Sequence, residues 1–287
     1  MTSTAHHFRY AYNTNGLAHH RLDDAVEMLA ENGYAGVALT LDVNHFDPFV
    51  PDVMARAEAL RARCDALGLG VVIETGAKFL LNPRVKHEPT LVTADADARA
   101  RRLAYLRLSC DLAEVLGAEA VSFWTGVPGP HTSPEQAWAW AVEGVQALVD
   151  SHGGRGYSLA IEPEPGMLVG DAGEWATLHE RVPGVDLALD TGHCIVGGAF
   201  EPEDAVRAFA PHLGSIALEG MARGVHTHLP LGEGDLDLVA VLSAMAEVGY
   251  DKLVTLELSS DSGRANEMIP TAMDTLAKAE AAAGIAP

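Results

Sequence analysis

Short β-rich apolar runs alternate with longer amphipathic stretches along almost the whole chain. The pattern predicts strands at about Arg9–Thr14, Gly36–Leu41, Gly70–Thr75, Ala120–Trp124, Ser158–Glu162, Asp186–Asp190, Gly214–Leu218 and Lys252–Leu258. Helical windows follow at roughly Leu22–Asn32, Pro51–Leu67, Asp97–Leu116, Pro134–His152, Ala172–Arg181, Pro202–Phe209, Leu236–Val248 and Gly263–Ala283. Local punctuation agrees. Pro51-Asp52, Ser133-Pro134-Glu135 and Glu201-Pro202-Glu203 read as helix starts, with a cap, an N1 proline or first-turn carboxylates. Gly33, Gly68, Gly117, Gly153 and Gly249 read as helix stops. Eight β-then-α units are the count of a closed (β/α)8 TIM barrel. A doubly wound open sheet shows the same alternation, but its G-x-G-x-x-G mark is missing, since the first strand runs into Asn13-Thr-Asn-Gly16. The expectation is an α/β chain forming a single (β/α)8 TIM-barrel domain over residues 1–287.

Composition narrows the class. Apolar residues at 48% and charged residues at 21% are those of an ordinary globular chain. The charge is lopsided: 19 Lys+Arg against 40 Asp+Glu leave −21, which repels phosphate backbones and anionic lipid. Neither a nucleic-acid nor a membrane partner is expected. Three cysteines, Cys64, Cys110 and Cys194, make no disulfide framework and point to a reducing compartment. The stretch Met1–Phe8 lacks the apolar core of a signal peptide, and no apolar run is long enough to span a bilayer. These features predict a soluble cytoplasmic protein, and a homo-oligomer is compatible with them.

A barrel carries its chemistry at the C-terminal ends of the strands. Those positions hold Glu74, Phe123-Trp124, Ile161-Glu162-Pro-Glu164, Asp190-Thr-Gly-His193 and Leu256-Glu257, and the loop after strand seven holds Arg223, His226 and His228. A single carboxylate ending a strand is usually a loop-capping acceptor. Three of them, Glu162, Asp190 and Glu257, each ending an apolar run, require a cation or several donors if the fold converges them. Oxygen-rich sites favour Mg²⁺ or Mn²⁺, and added imidazoles favour Zn²⁺ or Co²⁺. His226-Thr-His228 could equally be a solvated loop pair, and Trp124 a barrel plug or a pocket wall. The segment Ala77–Thr93, carrying Lys86-His87-Glu88, has the length of a lid.

At Ile161-Glu-Pro-Glu164, Leu189-Asp-Thr-Gly-His193, His226-Thr-His-Leu-Pro-Leu-Gly-Glu-Gly234 and Leu256-Glu257 the sequence resembles the xylose-isomerase-like TIM-barrel superfamily. That group holds sugar isomerases and epimerases, inosose dehydratases and type IV AP endonucleases. The resemblance to its ketose 3-epimerase branch implies Glu162, Asp190 and Glu257 as ligands of a divalent ion (Mn, Mg, Co or Zn), with Glu162 and Glu257 doubling as the acid/base pair. It places His193 and Arg223 on substrate oxygens, with Trp124 and Glu164 at the same pocket. One position departs from the pattern: where the family carries a strand-seven histidine, this chain reads Ala217-Leu-Glu-Gly220. Alanine cannot ligate. Either water or substrate completes a three-carboxylate site, or Glu219 or the histidines His193, His226 and His228 substitute, or the metal is lost.

The resemblance implies a metal-dependent isomerase or epimerase of a small sugar, sugar acid or cyclitol ketone, working by proton transfer through an enediolate. A lyase on a similar polyol-ketone and a non-catalytic binding barrel with a decayed metal site are the alternatives. A DNA-repair role conflicts with the −21 charge and with Trp124 in place of the endonuclease histidine.

Overall fold

A computed structural model describes residues 6–286; Met1–Ala5, the first part of the stretch read against a signal peptide, lies outside the described residues. Eight parallel strands close into a barrel: β1 (Arg9–Asn13), β2 (Gly36–Thr40), β3 (Gly70–Glu74), β4 (Ala120–Phe123), β5 (Ser158–Ile161), β6 (Asp186–Asp190), β7 (Leu213–Leu218) and β10 (Leu253–Leu256). Every strand falls inside or within one residue of its expected run. The outer layer is α1 (Leu22–Glu31), α2 (Val53–Leu67), α3 (Ala96–Leu116), α4 (Pro134–His152), α5 (Ala172–Arg181), α7 (Pro202–Ala208), α8 (Leu238–Val248) and α9 (Ala265–Ala282). Ser133 caps α4 by accepting from the Gln136 N–H, as the sequence motif anticipates. The second helix starts at Val53 rather than Pro51.

Two of the elements that the pattern did not predict shape the site. A short helix α6 (Thr191–Gly197) follows β6 directly, with Asp190 as its N-cap. The stretch read as a loop after strand seven is an antiparallel hairpin, β8 (Gly220–Ala222) and β9 (Val225–Leu229). Glycine is required at 220, where a Cβ would lie 2.3 Å from the Pro230 carbonyl oxygen. The backbone can therefore fold the hairpin back against the barrel mouth.

Along each strand alternate residues face the lumen, and their character changes with height. At the N-terminal end Leu253 fills the axis; a Cβ on Gly36 or Gly70 would come within about 3 Å of its methyl groups. Ala11, Ala38, Val72 and Ala120 form a fully buried apolar layer around it. One step higher the lumen becomes polar, with Asn13, Thr40, Ser122, Ser215 and Thr255 all buried. The top layer is acidic, and Glu74, Glu162, Asp190 and Glu257 border one small cavity with Ala217 among them. The larger core lies between strands and helices, where side chains such as Trp175, Leu29, Ile73 and Leu276 are buried. Among the described residues no helix is long and apolar enough to cross a membrane.

Candidate active site

The carboxylates of β5 and β6 are set by their backbone. Glu162 follows β5, its N–H donating to the Phe123 carbonyl at 2.8 Å, and its Oε2 lies 3.5 Å from the Ser122 hydroxyl. Asp190 Oδ1 accepts from the His193 N–H at 3.0 Å, which starts α6 and folds His193 back over the barrel. Asp190 Oδ2 is buried without a hydrogen-bond partner among the described residues. The His193 ring lies 2.9 Å from the Pro163 carbonyl through Nδ1. A carbonyl only accepts, so the proton sits on Nδ1 and the Nε2 side is turned toward Glu164, at 3.7 Å.

Two compact sets of ligand-type atoms result, each within 4.8 Å: Glu162, Asp190 and His193, and Glu164, His193 and His226. His193 belongs to both, and its ring meets that of His226 edge-on at 4.9 Å between centroids. Glu257 borders the same cleft but belongs to neither set; its Oε1 accepts from Asn15 Nδ2 at 2.7 Å. His228 is pulled another way, onto Oε2 of Glu219. Glu219 is fully buried just past the end of β7, two residues beyond Ala217, and its Oε1 has no partner among the described residues. Ala217 pairs in register with Asp190 and with Thr255. Ala217 borders the small cavity, while the carboxyl of Glu219 is tucked behind it beside Gly192 and Asp190 and lines neither that cavity nor the cleft.

Above this floor opens a cleft of about 440 Å³. It is lined by Glu162, Glu164, His193, His226 and His228, by Trp124, and by the segment after β3 through Gly76, Lys78, Lys86 and His87. Trp124 is 4% exposed, packs edge-on against His87, and covers the guanidinium of Arg102 at 4.3 Å. Arg223 is not brought to the cleft. It projects from the hairpin, half exposed, and makes two bonds of 3.1 and 2.9 Å to Glu201.

Burial without enough donors raises the acids. Glu162 and Glu219 lie well above the usual carboxylate range, chiefly through burial and then through carboxylate neighbours, Glu74 first for Glu162 and Asp190 first for Glu219. Glu74 is pushed up to about 8 by burial and by Glu257, and Glu164 is raised by burial against the opposing pull of His193. Burial would lower His193, but Asp190, Glu164 and Glu257 outweigh it and hold the ring above its ordinary range. His226 falls to about 4 through burial and through His193 and His228, so it is neutral and keeps a lone pair at neutral pH. Carboxylates that favour a proton on His193 also favour a divalent cation beside it. The bare Oδ2 of Asp190, two sets of converging donors and a neutral His226 fit such an ion.

Glu74, Asn15, Glu219, Lys78, Lys86 and His87 also reach or adjoin the site. Glu74 had a signal, since Gly70-Val-Val-Ile-Glu74 is an apolar run ending in a carboxylate like that before Glu162. Asn15 had none, because its role depends on a contact 242 residues away.

Known proteins place this architecture. A search of the curated proteins finds no match to the sequence. Among solved structures, D-psicose 3-epimerase with D-tagatose from Clostridium cellulolyticum H10 is similar at 16% identity, over 96% of this chain and 99% of that chain, with a TM-score of 0.75. The IOLI protein with a bound zinc atom is similar at 17% identity, over 96% and 98%, with a TM-score of 0.74. The probable 3-DHS dehydratase AsbF from Bacillus anthracis is similar at 16% identity, over 94% and 99%, with a TM-score of 0.74. Identities this low speak for the fold. The sequence profile of the xylose isomerase-like TIM barrel matches residues 26–279, and the chain belongs to that family.

Proposed function

We propose that this protein is a metal-dependent isomerase or epimerase of a small sugar, sugar acid or cyclitol ketone. The observation that carries the reading is the compact Glu162–Asp190–His193 set with Glu257 bordering the same cleft. Glu162, Asp190 and His193 would hold the ion, with Glu257, Glu164 and His226 as the neighbouring donors. Bound there, a divalent ion supplies Lewis acidity and orientation for adjacent hydroxyl and carbonyl oxygens. The zinc in the IOLI structure and the sugar in the epimerase structure support the class of site, each for its own protein.

The chain's own residues divide the proton work. Glu257, steadied at Oε1 by Asn15, takes the proton alpha to the substrate carbonyl through Oε2. Glu162, bordering the same cleft, is the facing carboxyl that returns a proton to the other face of the enediolate, or to the neighbouring carbon. Trp124 offers a flat apolar wall to the carbon skeleton and, with the 77–93 segment, shields the reacting carbons from water.

Metal analysis of the purified protein, followed by incubation of the ion-loaded form with ketoses, keto acids and inososes in D₂O, tests this. Deuterium incorporation without loss of substrate carbon skeleton or water is the expected result. Water loss would assign a lyase instead, and absence of both metal uptake and exchange would leave a binding barrel.

A further inference from the structure

The cleft carries charges of both signs. The sequence contains four lysines, Lys78, Lys86, Lys252 and Lys278, against 40 acidic residues, yet two of the four line this one cleft. Both come from the segment after β3 and line the same cleft as Glu162 and Glu164. Every Lys or Arg ion pair among the described residues uses an arginine, so neither Lys78 nor Lys86 has a carboxylate partner there. In a chain of charge −21, two such ammonium groups beside an acidic site are not explained by the fold.

The backbone is held to present them. The non-glycine residues with left-handed φ among the described residues are Ala77 (55°), Lys78 (27°) and His87 (68°), all in this segment. Short bonds close it on itself: the His87 N–H donates to the Lys78 carbonyl at 2.6 Å, and His87 Nδ1 donates to the Gly76 carbonyl at 2.8 Å. Behind the same segment lies a further basic group. Arg102 is fully buried, one nitrogen donating to the Thr75 carbonyl at 3.2 Å, while Nε and Nη1 have no partner among the described residues. Burial, with Lys86, Arg102 and Lys78 nearby, keeps His87 below its ordinary range, so the ring adds a donor or acceptor and no competing charge.

We infer that Lys78 and Lys86 form a carboxylate-binding subsite, and that the substrate is an acid: a polyol-ketone carrying a carboxylate at the end remote from the reacting carbons. The anionic end lies against the lysine wall while the carbonyl and hydroxyl oxygens face Glu162, Asp190 and Glu257. A neutral sugar would leave both ammonium groups without a partner, and a sugar acid turned end for end would set its carboxylate against four glutamates. The global charge still repels polyanions, and the local lysine pair selects a singly charged ligand of the right polarity. A phosphate is the less suited anion, because tight phosphate sites rest on backbone N–H groups at a glycine loop or helix start, and this wall offers side-chain ammonium groups.

The inference rests on the isomerase reading for its reacting carbons, but its test reads binding alone. Calorimetric titration compares D-gluconate with D-sorbitol, which share a six-carbon polyol chain and differ at one terminal group, on the native protein and on Lys78→Gln, Lys86→Gln and the double variant. Gluconate is expected to bind roughly tenfold or more tighter than sorbitol, as one charge-assisted contact would give, and the ratio to fall toward one in the double variant. Repeating the titration with and without Mn²⁺ separates the two ends of the cleft. A gluconate preference that needs Mn²⁺ and survives the double substitution would put the carboxylate on the ion and overturn the subsite. Equal binding of the two polyols to the native protein would overturn it as well, and tighter binding of sorbitol 6-phosphate than of gluconate would replace the carboxylate with a phosphate. Deuterium exchange plays no part in these outcomes, so failure of the catalytic reading alone leaves the binding ratio intact.

Discussion

Two buried glutamates at opposite ends of the barrel show what separates a structural charge from one kept for chemistry. Glu280, on α9 beside the start of β1, accepts from the Tyr10 hydroxyl at 2.9 Å and from the N–H groups of His7 and Phe8, while His6 meets its other oxygen at 3.0 Å. Those donors hold its carboxyl below the usual range although burial alone would raise it. Glu219, at the mouth, is buried more deeply still, shares one oxygen with His228 and leaves the other bare. Its carboxyl is raised well above the usual range. The same group closes the fold at one end, and at the other holds an electrostatic debt that only a proton or a cation can cancel.

Several substitutions sharpen or break this contrast. The largest effect is expected at Glu257→Gln, which keeps the Asn15 contact but cannot take a proton: deuterium exchange should fall ~10²–10⁴-fold with the circular dichroism spectrum unchanged. Near-normal exchange would move the base elsewhere. Glu219→Gln should act on the ion instead, lowering Mn²⁺ affinity about ten- to a hundredfold, as loss of an outer partner does. It should also raise the stability of the ion-free protein, and the gain has a pH signature. A carboxyl whose folded pKa is raised costs nothing below the ordinary range, and its cost grows as pH rises toward the shifted value, which lies well above that range for Glu219 and at about 8 for Glu74 across the barrel. The ion-free native protein should therefore be more stable near pH 5 than near pH 9, with Glu219→Gln narrowing the difference; a flat profile would refute the raised acids.

At the other end the sign reverses. Glu280→Ala should destabilise the fold by about 2 kcal/mol, the cost of leaving buried donors unmatched, with metal affinity unchanged. Because its folded pKa is lowered, the stabilisation is present above the ordinary carboxylate range and disappears as pH falls through the shifted value. Denaturant titrations across that range would show the variant's deficit vanish in acid. The smallest effect belongs to Arg223→Ala. The side chain is half exposed and paired with Glu201, so substrate affinity and turnover should not change, and a rise in KM would return Arg223 to the site.

Much of this was legible in the chain because barrel strands report their own ends. Glu162, Asp190 and Glu257 stop apolar runs, and closure of the barrel carries each stop to the same rim. Elements without a period were hidden. The seven residues of α6 are too few to show helical periodicity, and the helix exists because the Asp190 side chain caps it. The hairpin continues the β7 run through Met221 and then turns outward, so position in the chain could not say that His228 would meet Glu219 while Arg223 met Glu201. Lys78 and Lys86 sit in a segment whose shape is set by local turns, where no pattern of apolar residues could aim them.

Leu253, seated where Gly36 and Gly70 leave no side chain, has a consequence for traffic. With the lower end stoppered by that leucine and its alanine and valine collar, the acidic rim is the floor of a vessel with its opening above. Arrival and departure then share one doorway. On the proposed reading, an ion on the floor would be seated first and leave last, and a product would have to pass Lys78 and Lys86 before the next molecule could enter. Such a vessel imposes an order of events that the side chains at its base do not specify.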